Sequence, residues 1–313
     1  MLMEMNGGVW PTMVTPFTSD DRIDYSGLEK LVNWYMERGV HGLFAVCQSS
    51  EMFYLTLEER AALASFVKRT AAGRAPVIAS GHISESFEDQ VRELNRMAET
   101  GIDALVLITN RIAGQDESDD IWIERLEKLL RQLPEEITLG LYECPYPYKR
   151  LLSPRTIKWC ADQGRFRFLK DTSCDIEDIR IKLETVKGSG LQIYNANSAT
   201  LLETLKLGAV GYSGVMANFH PELYVWLLEN WKESVGEAVR LSDFLSLSSL
   251  IEKQLYPANA KYHLMLEGIL TNVSCRILQG QSLTATNRLE VEQLRRLGDE
   301  YSKRFDKGRE DGS

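Results

Sequence analysis

The chain has 313 residues, 44% of them hydrophobic and 26% charged, enough apolar mass for a full-sized core, so disorder is not expected and length leaves one large domain or two modest ones. A formal net charge of −9 argues against nucleic acid or an anionic membrane surface as partner, because both require clustered Lys and Arg; a small soluble ligand is expected. Cys47, Cys144, Cys160, Cys174 and Cys275 are scattered without a Cys-x-x-Cys pair, and no stretch reaches the ~20 apolar residues of a membrane span, so the expectation is a reducing, cytoplasmic setting with no disulfide framework or zinc site.

Eight short apolar runs, 8–16, 42–47, 76–81, 104–109, 138–144, 166–172, 191–195 and 209–215, are rich in Val, Ile, Leu and Phe without polar alternation. That is the pattern of strands buried on both faces of a parallel sheet. Amphipathic segments between them predict helices at 24–38, 56–71, 84–100, 118–133 and 153–162, several opening on Ser, Thr or Asp as N-cap. Gly101 and Gly208 are placed to take left-handed caps. Strand then helix, eight times over, predicts an α/β fold of the (β/α)8 TIM-barrel type. A doubly wound sheet is the alternative, disfavoured because no Gly-x-Gly-x-x-Gly follows the first run. Beyond about residue 221 the strand pattern stops, and 223–232, 237–255, 261–270 and 287–305 read as amphipathic helices. The expected organisation is a barrel over 1–222 and a C-terminal helical region over 223–313 packed on it, with 307–313 frayed.

In a parallel barrel the reactive groups gather at the C-terminal ends of the strands. Run two ends in Gln48-Ser49-Ser50-Glu51, run five contains Tyr142 and Cys144, run six holds Lys170 and run eight carries Ser213. Alternation points Lys170 to the side of Phe168, into an apolar interior where desolvation lowers an amine's pKa and leaves a nucleophile toward ketones. The other reading of this run is an ion pair with Asp171 or another carboxylate at the barrel rim. Tyr142 is either an acid–base phenol over the barrel top or a rim aromatic bonded to a carbonyl. Ser49 and Ser50 can hold a carboxylate through hydroxyls and backbone N–H groups, or simply form a turn and cap; Glu51 is a hydrogen-bond acceptor behind them or a helix-start acid. His41, His82, His220 and His263 show no metal-binding spacing, so no metal is expected.

From about Gly8 to at least Arg276 the chain resembles the dihydrodipicolinate synthase/N-acetylneuraminate lyase family. Gly8-Val9-Trp10-Pro11-Thr12-Met13-Val14-Thr15-Pro16-Phe17 is similar to its first strand, Leu141-Tyr142-Glu143-Cys144-Pro145 to its Tyr-Asn-x-Pro segment, and Leu169-Lys170-Asp171-Thr172-Ser173 to its Lys-[Glu/Asp]-x-Ser segment. Gly208-Ala209-Val210-Gly211 and Pro257-Ala258-Asn259-Ala260-Lys261 add matches in order. The resemblance implies that Lys170 is a Schiff-base lysine and Tyr142 a proton relay. It also implies that the loop after run two binds the carboxylate of pyruvate or a related 2-oxo acid, and that the protein is a homotetramer built as a dimer of dimers.

Departures narrow the expectation. The family's Gly-[Thr/Ser]-Thr-Gly-Glu loop is Cys47-Gln48-Ser49-Ser50-Glu51 here, without either glycine, which predicts reduced backbone freedom. The synthase's interface tyrosine aligns with Ile112 and its substrate-carboxylate arginine with Pro147, while the lyase's sugar-binding acids fall at Asn197 and Ser198. The expectation is therefore a class I lyase or aldolase other than the true synthase. Lys170 condenses with a 2-oxo acid, Tyr142 moves protons with help from Ser49, the imine is the electron sink in place of a cofactor, and an aldehyde is the second partner. The alternatives are a 2-keto-3-deoxy sugar acid dehydratase or dihydrodipicolinate synthase using the same imine, and a barrel that binds 2-oxo acids without turnover. Gln48, Ser50, Ser213, Asn197 and Arg150 are expected to bind substrate, with Arg111, Tyr146, Tyr148 and Lys149 on the specificity surface.

Overall fold

The computed structural model describes residues 6–310, with side chains through Phe305; the expected frayed end lies partly outside the described residues, at 311–313. In chain order the elements are β1 Gly8–Val9, α1 Tyr25–Glu37, β2 Leu43–Val46, α2 Leu57–Ala71, β3 Val77–Ala79, α3 Phe87–Ala98, β4 Ala104–Ile108, α4 Thr109–Ile112, α5 Asp119–Leu130, β5 Thr138–Tyr142, α6 Pro154–Asp162, β6 Phe166–Asp171, α7 Ile176–Val186, β7 Gln192–Asn195, α8 Leu201–Leu207, β8 Gly211–Tyr212, α9 Pro221–Asn230, α10 Val235–Ser248, α11 Ala258–Leu266 and α12 Ala285–Glu310. All eight strands run parallel in the order β1-β8-β7-β6-β5-β4-β3-β2. The ring closes just beyond β1, where Thr12 bridges Phe44 of β2 and the Phe44 amide donates to Pro11 O at 3.0 Å. The predicted (β/α)8 barrel is the fold observed.

Four of the five predicted helices start at their expected caps, and the one expected from 84 starts at Phe87 behind Ser86. Asp24, Ser86, Ser118 and Ser153 each accept a backbone N–H from the first turn, and Thr56 forms a reciprocal capping box with Glu59. Gly208 ends α8 at φ 114°, a left-handed conformation that only glycine adopts without strain. Three further details differ from expectation. Run 8–16 is a ladder strand over only two residues, because Pro11 and Pro16 have no N–H to donate. The predicted helix 237–255 stops at Ser248 and tightens into a 3-10 turn at Ser249–Lys253. And α9, which follows β8 and packs on β1, is the eighth barrel helix, so the expected division at 222/223 runs through it.

The barrel interior is plugged by aromatic rings. Phe168 lies 4.5 Å from Tyr194, 5.8 Å from Trp10 and 6.0 Å from Phe44, centroid to centroid, and all four are fully buried. Lys170 follows Phe168 by one inward-facing step, so it stands on this apolar floor. The C-terminal helices lock onto the same end of the barrel. Lys261 of α11 reaches Glu51 at 2.7 Å with both side chains fully buried, and the Ile277 amide donates to the other Glu51 oxygen at 2.9 Å. α12 is held by ring stacking of Phe305 on Trp226 and Tyr301 on Phe244.

Candidate active site at the C-terminal end of the barrel

Tyr142 and Lys170 are register partners at the ends of β5 and β6. The Lys170 Nζ is 5.0 Å from the Tyr142 ring centroid and donates to Ser213 O at 2.7 Å. The ion pair with Asp171 does not form. Alternation turns Asp171 outward, where its carboxylate meets Lys182 Nζ at 2.5 Å, beside Glu143, which meets the same amine at 2.7 Å. Lys170 is thus a buried amine with no carboxylate in ion-pair contact among the described residues, and burial pulls its pKa down to about 8. At neutral pH this raises the fraction of free amine by roughly two orders of magnitude over an ordinary lysine. Burial pushes the Tyr142 phenol well above its usual value, with the Cys144 and Cys47 thiols adding to the effect.

A cavity of about 260 Å³ opens over these two groups, lined by Gln48, Ser49, Lys149, Asn197, Glu252 and Tyr256 among others. It lies just below the usual ~300–1,000 Å³ of ligand pockets, a size for a small acyclic molecule. Ser49 Oγ donates to Thr12 Oγ1 at 3.2 Å, which ties the loop to the first strand, and Tyr256 lines the same cavity from the C-terminal region. Gln48 accepts from the Cys144 thiol at 3.4 Å. Asn197 uses its side-chain oxygen to receive Thr200 N at 3.1 Å, and Lys149 Nζ donates to Thr172 O at 2.7 Å.

Other expected contacts are placed elsewhere. Ser50 is consumed by the loop itself: its hydroxyl accepts from Cys47 N at 2.8 Å and donates to Cys47 O at 2.7 Å. Ser213 offers its carbonyl to Lys170, and its buried hydroxyl has no hydrogen-bond partner among the described residues. Arg150 is turned away from the cavity, donating to Gly114 O and, at 2.9 Å, to Glu117 O. Tyr148 donates to Asn110 O at 2.7 Å, Tyr146 packs on Phe53, and Arg111 pairs with Glu85 at 3.3 Å. The missing loop glycines cost no strain where they were expected. Cys47 is fully extended, Ser50 lies in a 3-10 turn, and the left-handed residue is Glu51, at φ 61°, held by Lys261 and Ile277.

Glu252 and Tyr256 are polar cavity residues that were not foreseen. Both follow α10, a helix whose sequence reads as packing surface. In the 3-10 turn the apolar Leu250 is 55% exposed while Glu252 turns toward the barrel mouth, an inversion that no hydrophobic periodicity signals. Burial pushes the Glu252 carboxyl up to about 7 against the opposing pull of Lys170.

A family model described as "Dihydrodipicolinate synthetase family" matches residues 5–294. YagE of Escherichia coli K12, to which 2-dehydro-3-deoxy-D-gluconate aldolase activity is ascribed, is 28% identical over 231 residues, 72% of this chain and 74% of that protein. The 4-hydroxy-tetrahydrodipicolinate synthase of Bacillus subtilis 168 is 26% identical over 269 residues, 84% of this chain and 90% of the relative. The crystal structure of YagE in complex with pyruvate superposes with a TM-score of 0.83 at 24% identity, covering 95% of this chain and 98% of YagE. That of the Acinetobacter baumannii dihydrodipicolinate synthase complexed with pyruvate gives 0.84 at 22% identity, covering 94% and 99%. At these identities the structural matches establish the shared fold.

Proposed function

The chain belongs to the dihydrodipicolinate synthetase family, and from that premise we propose that it is a class I lyase acting on pyruvate or a related 2-oxo acid through an imine on Lys170. The observation that carries this reading is the Lys170 amine: buried on an aromatic floor, free of any carboxylate in ion-pair contact among the described residues, lowered in pKa, and open to a small cavity beside Tyr142. The neutral amine attacks the ketone. The Tyr142 hydroxyl and Ser49, which line the same cavity, move protons as the carbinolamine forms and loses water. The resulting protonated imine draws electrons from the adjacent carbon, so carbon–carbon cleavage or its reverse proceeds with no further cofactor.

The cavity favours an aldolase over the true synthase. No arginine lines it among the described residues, Ile112 and Pro147 stand where the synthase has its tyrosine and arginine, and Arg150 faces the other way. An acceptor carboxylate would lack a bidentate guanidinium partner, whereas a hydroxyl-bearing aldehyde finds Asn197, Gln48 and Glu252. The assembly proposed is a dimer of dimers in the cytoplasm. Incubation with pyruvate and borohydride, read by intact mass, tests the imine: the wild type gains a reduced adduct and Lys170→Arg does not. Failure to trap an adduct with pyruvate or any longer 2-oxo acid leaves a barrel that binds without turnover.

A further inference from the structure

Carbon–carbon chemistry on a lysine imine needs a base for the carbon next to the imine. The cavity holds one carboxyl among the described residues that line it, Glu252. Glu51, Glu143 and Asp171 are committed to lysines at 2.7, 2.7 and 2.5 Å, but among the described residues no hydrogen bond or ion pair holds the Glu252 carboxyl, which burial raises and the field of Lys170 opposes. The titratable groups that face it are Lys170 from β6, Tyr212 from β8, Tyr224 from α9 and Tyr256 beyond its own turn. The three phenols are kept neutral by burial, so the lysine is the one cation of that set.

We propose that Glu252 carries the C3 proton of the lysine-bound 2-oxo acid, taking it as imine becomes enamine and returning it when the enamine is quenched. The inference rests on the imine reading above. In the step, the Glu252 carboxylate receives the C3 proton, the C–H electron pair becomes the C2=C3 bond, and the C2=N pair moves onto nitrogen. A carboxylate and an iminium become a neutral acid and a neutral enamine, so two charges vanish together, which a dry cavity favours. No oxidant or co-reactant enters. The other candidates are less suited. The phenols of Tyr142 and Tyr256 are pushed well above their usual range, and Lys149 is engaged with Thr172 O. Glu252 ionises near neutral pH, where a general base is most effective.

The test follows proton exchange at the pyruvate methyl group in D2O by NMR, alongside borohydride trapping of the adduct. The wild type exchanges. Glu252→Gln keeps the adduct and loses exchange by roughly 100-fold or more, and Glu252→Asp, which retains a carboxyl, recovers part of it. At saturating pyruvate the lysine is already imine, so wild-type exchange rises with pH through a limb below about 7, since the iminium favours the ionised carboxyl; Glu252→Gln lacks that limb. Unchanged exchange in Glu252→Gln with the adduct intact overturns the proposal. Loss of the adduct in Glu252→Gln with far-UV circular dichroism unchanged also overturns it, assigning the residue to lysine reactivity instead. An absent wild-type adduct overturns the imine reading itself, and this inference with it.

Discussion

Lys170 is a residue held where its charge is unwelcome. Its folded pKa of about 8 lies below the ordinary 10.5, so the fold disfavours the protonated form. That cost is full below pH 8 and is relieved between about 8 and 10.5, where the unfolded chain binds the extra proton. Lys170→Met should therefore raise unfolding stability by about 1–3 kcal/mol at pH 7, a gain that shrinks as pH rises through that window, while the pyruvate adduct disappears. Urea titrations at pH 7 and pH 10 compare the two; equal or lower stability of the variant at pH 7 would show that the amine is not desolvated. For the wild type, the rate of imine formation should climb with pH through about 8 as the free amine accumulates. The direction of Lys170 was legible in the sequence, because alternation from Phe168 is a property of the strand alone. Its lack of a carboxylate partner was not, since the nearby acids Glu143 and Glu51 are held by Lys182 and Lys261, residues of distant helices.

At the scale of elements, the buried pair Lys261–Glu51 joins α11 to the loop that carries Gln48 and Ser49. Removing one partner strands the other in the interior, so Lys261→Met should lower stability by about 3–5 kcal/mol. It should also raise the KM for the 2-oxo acid more than it lowers kcat, because the loop's left-handed residue, Glu51, loses its anchor. Chemical denaturation and steady-state kinetics on the same preparation check both; a stable variant with unaltered KM would show that the loop holds itself. Close approach matters equally where strands meet. A Cβ on Gly42 would sit 2.3 Å from the Trp10 ring, at the seam where β1 and β2 close the barrel, so Gly42→Ala should destabilise by about 1–3 kcal/mol, read as a lower denaturation midpoint.

At the scale of the whole molecule, the C-terminal region is part of the active-site wall. Glu252 and Tyr256 enter the cavity from it, Lys261 pairs with Glu51 of the loop after β2, and Arg276 bridges to Glu59 of α2 at 2.8 Å. Barrel and extension should consequently unfold in one transition, with tryptophan fluorescence and far-UV circular dichroism giving coincident urea curves. Two separated transitions would mean that the extension is an independent unit.

What the sequence determined by itself was the local order: eight apolar runs, most of the caps of their helices, and the inward direction of Lys170. These follow from periodicities of two and 3.6 residues and from N-cap chemistry, which act over a few neighbours. The tertiary structure alone decided which side chains complete the cavity. Closing the barrel brought Ser49, Tyr142, Lys170 and Glu252 to one mouth from segments far apart in the chain, sent Arg150 to the carbonyls of Gly114 and Glu117, and turned Glu252 inward with Leu250 left outside. Periodicity reports that a face is buried; what it is buried against depends on ring closure and on loops whose direction no neighbouring residue encodes.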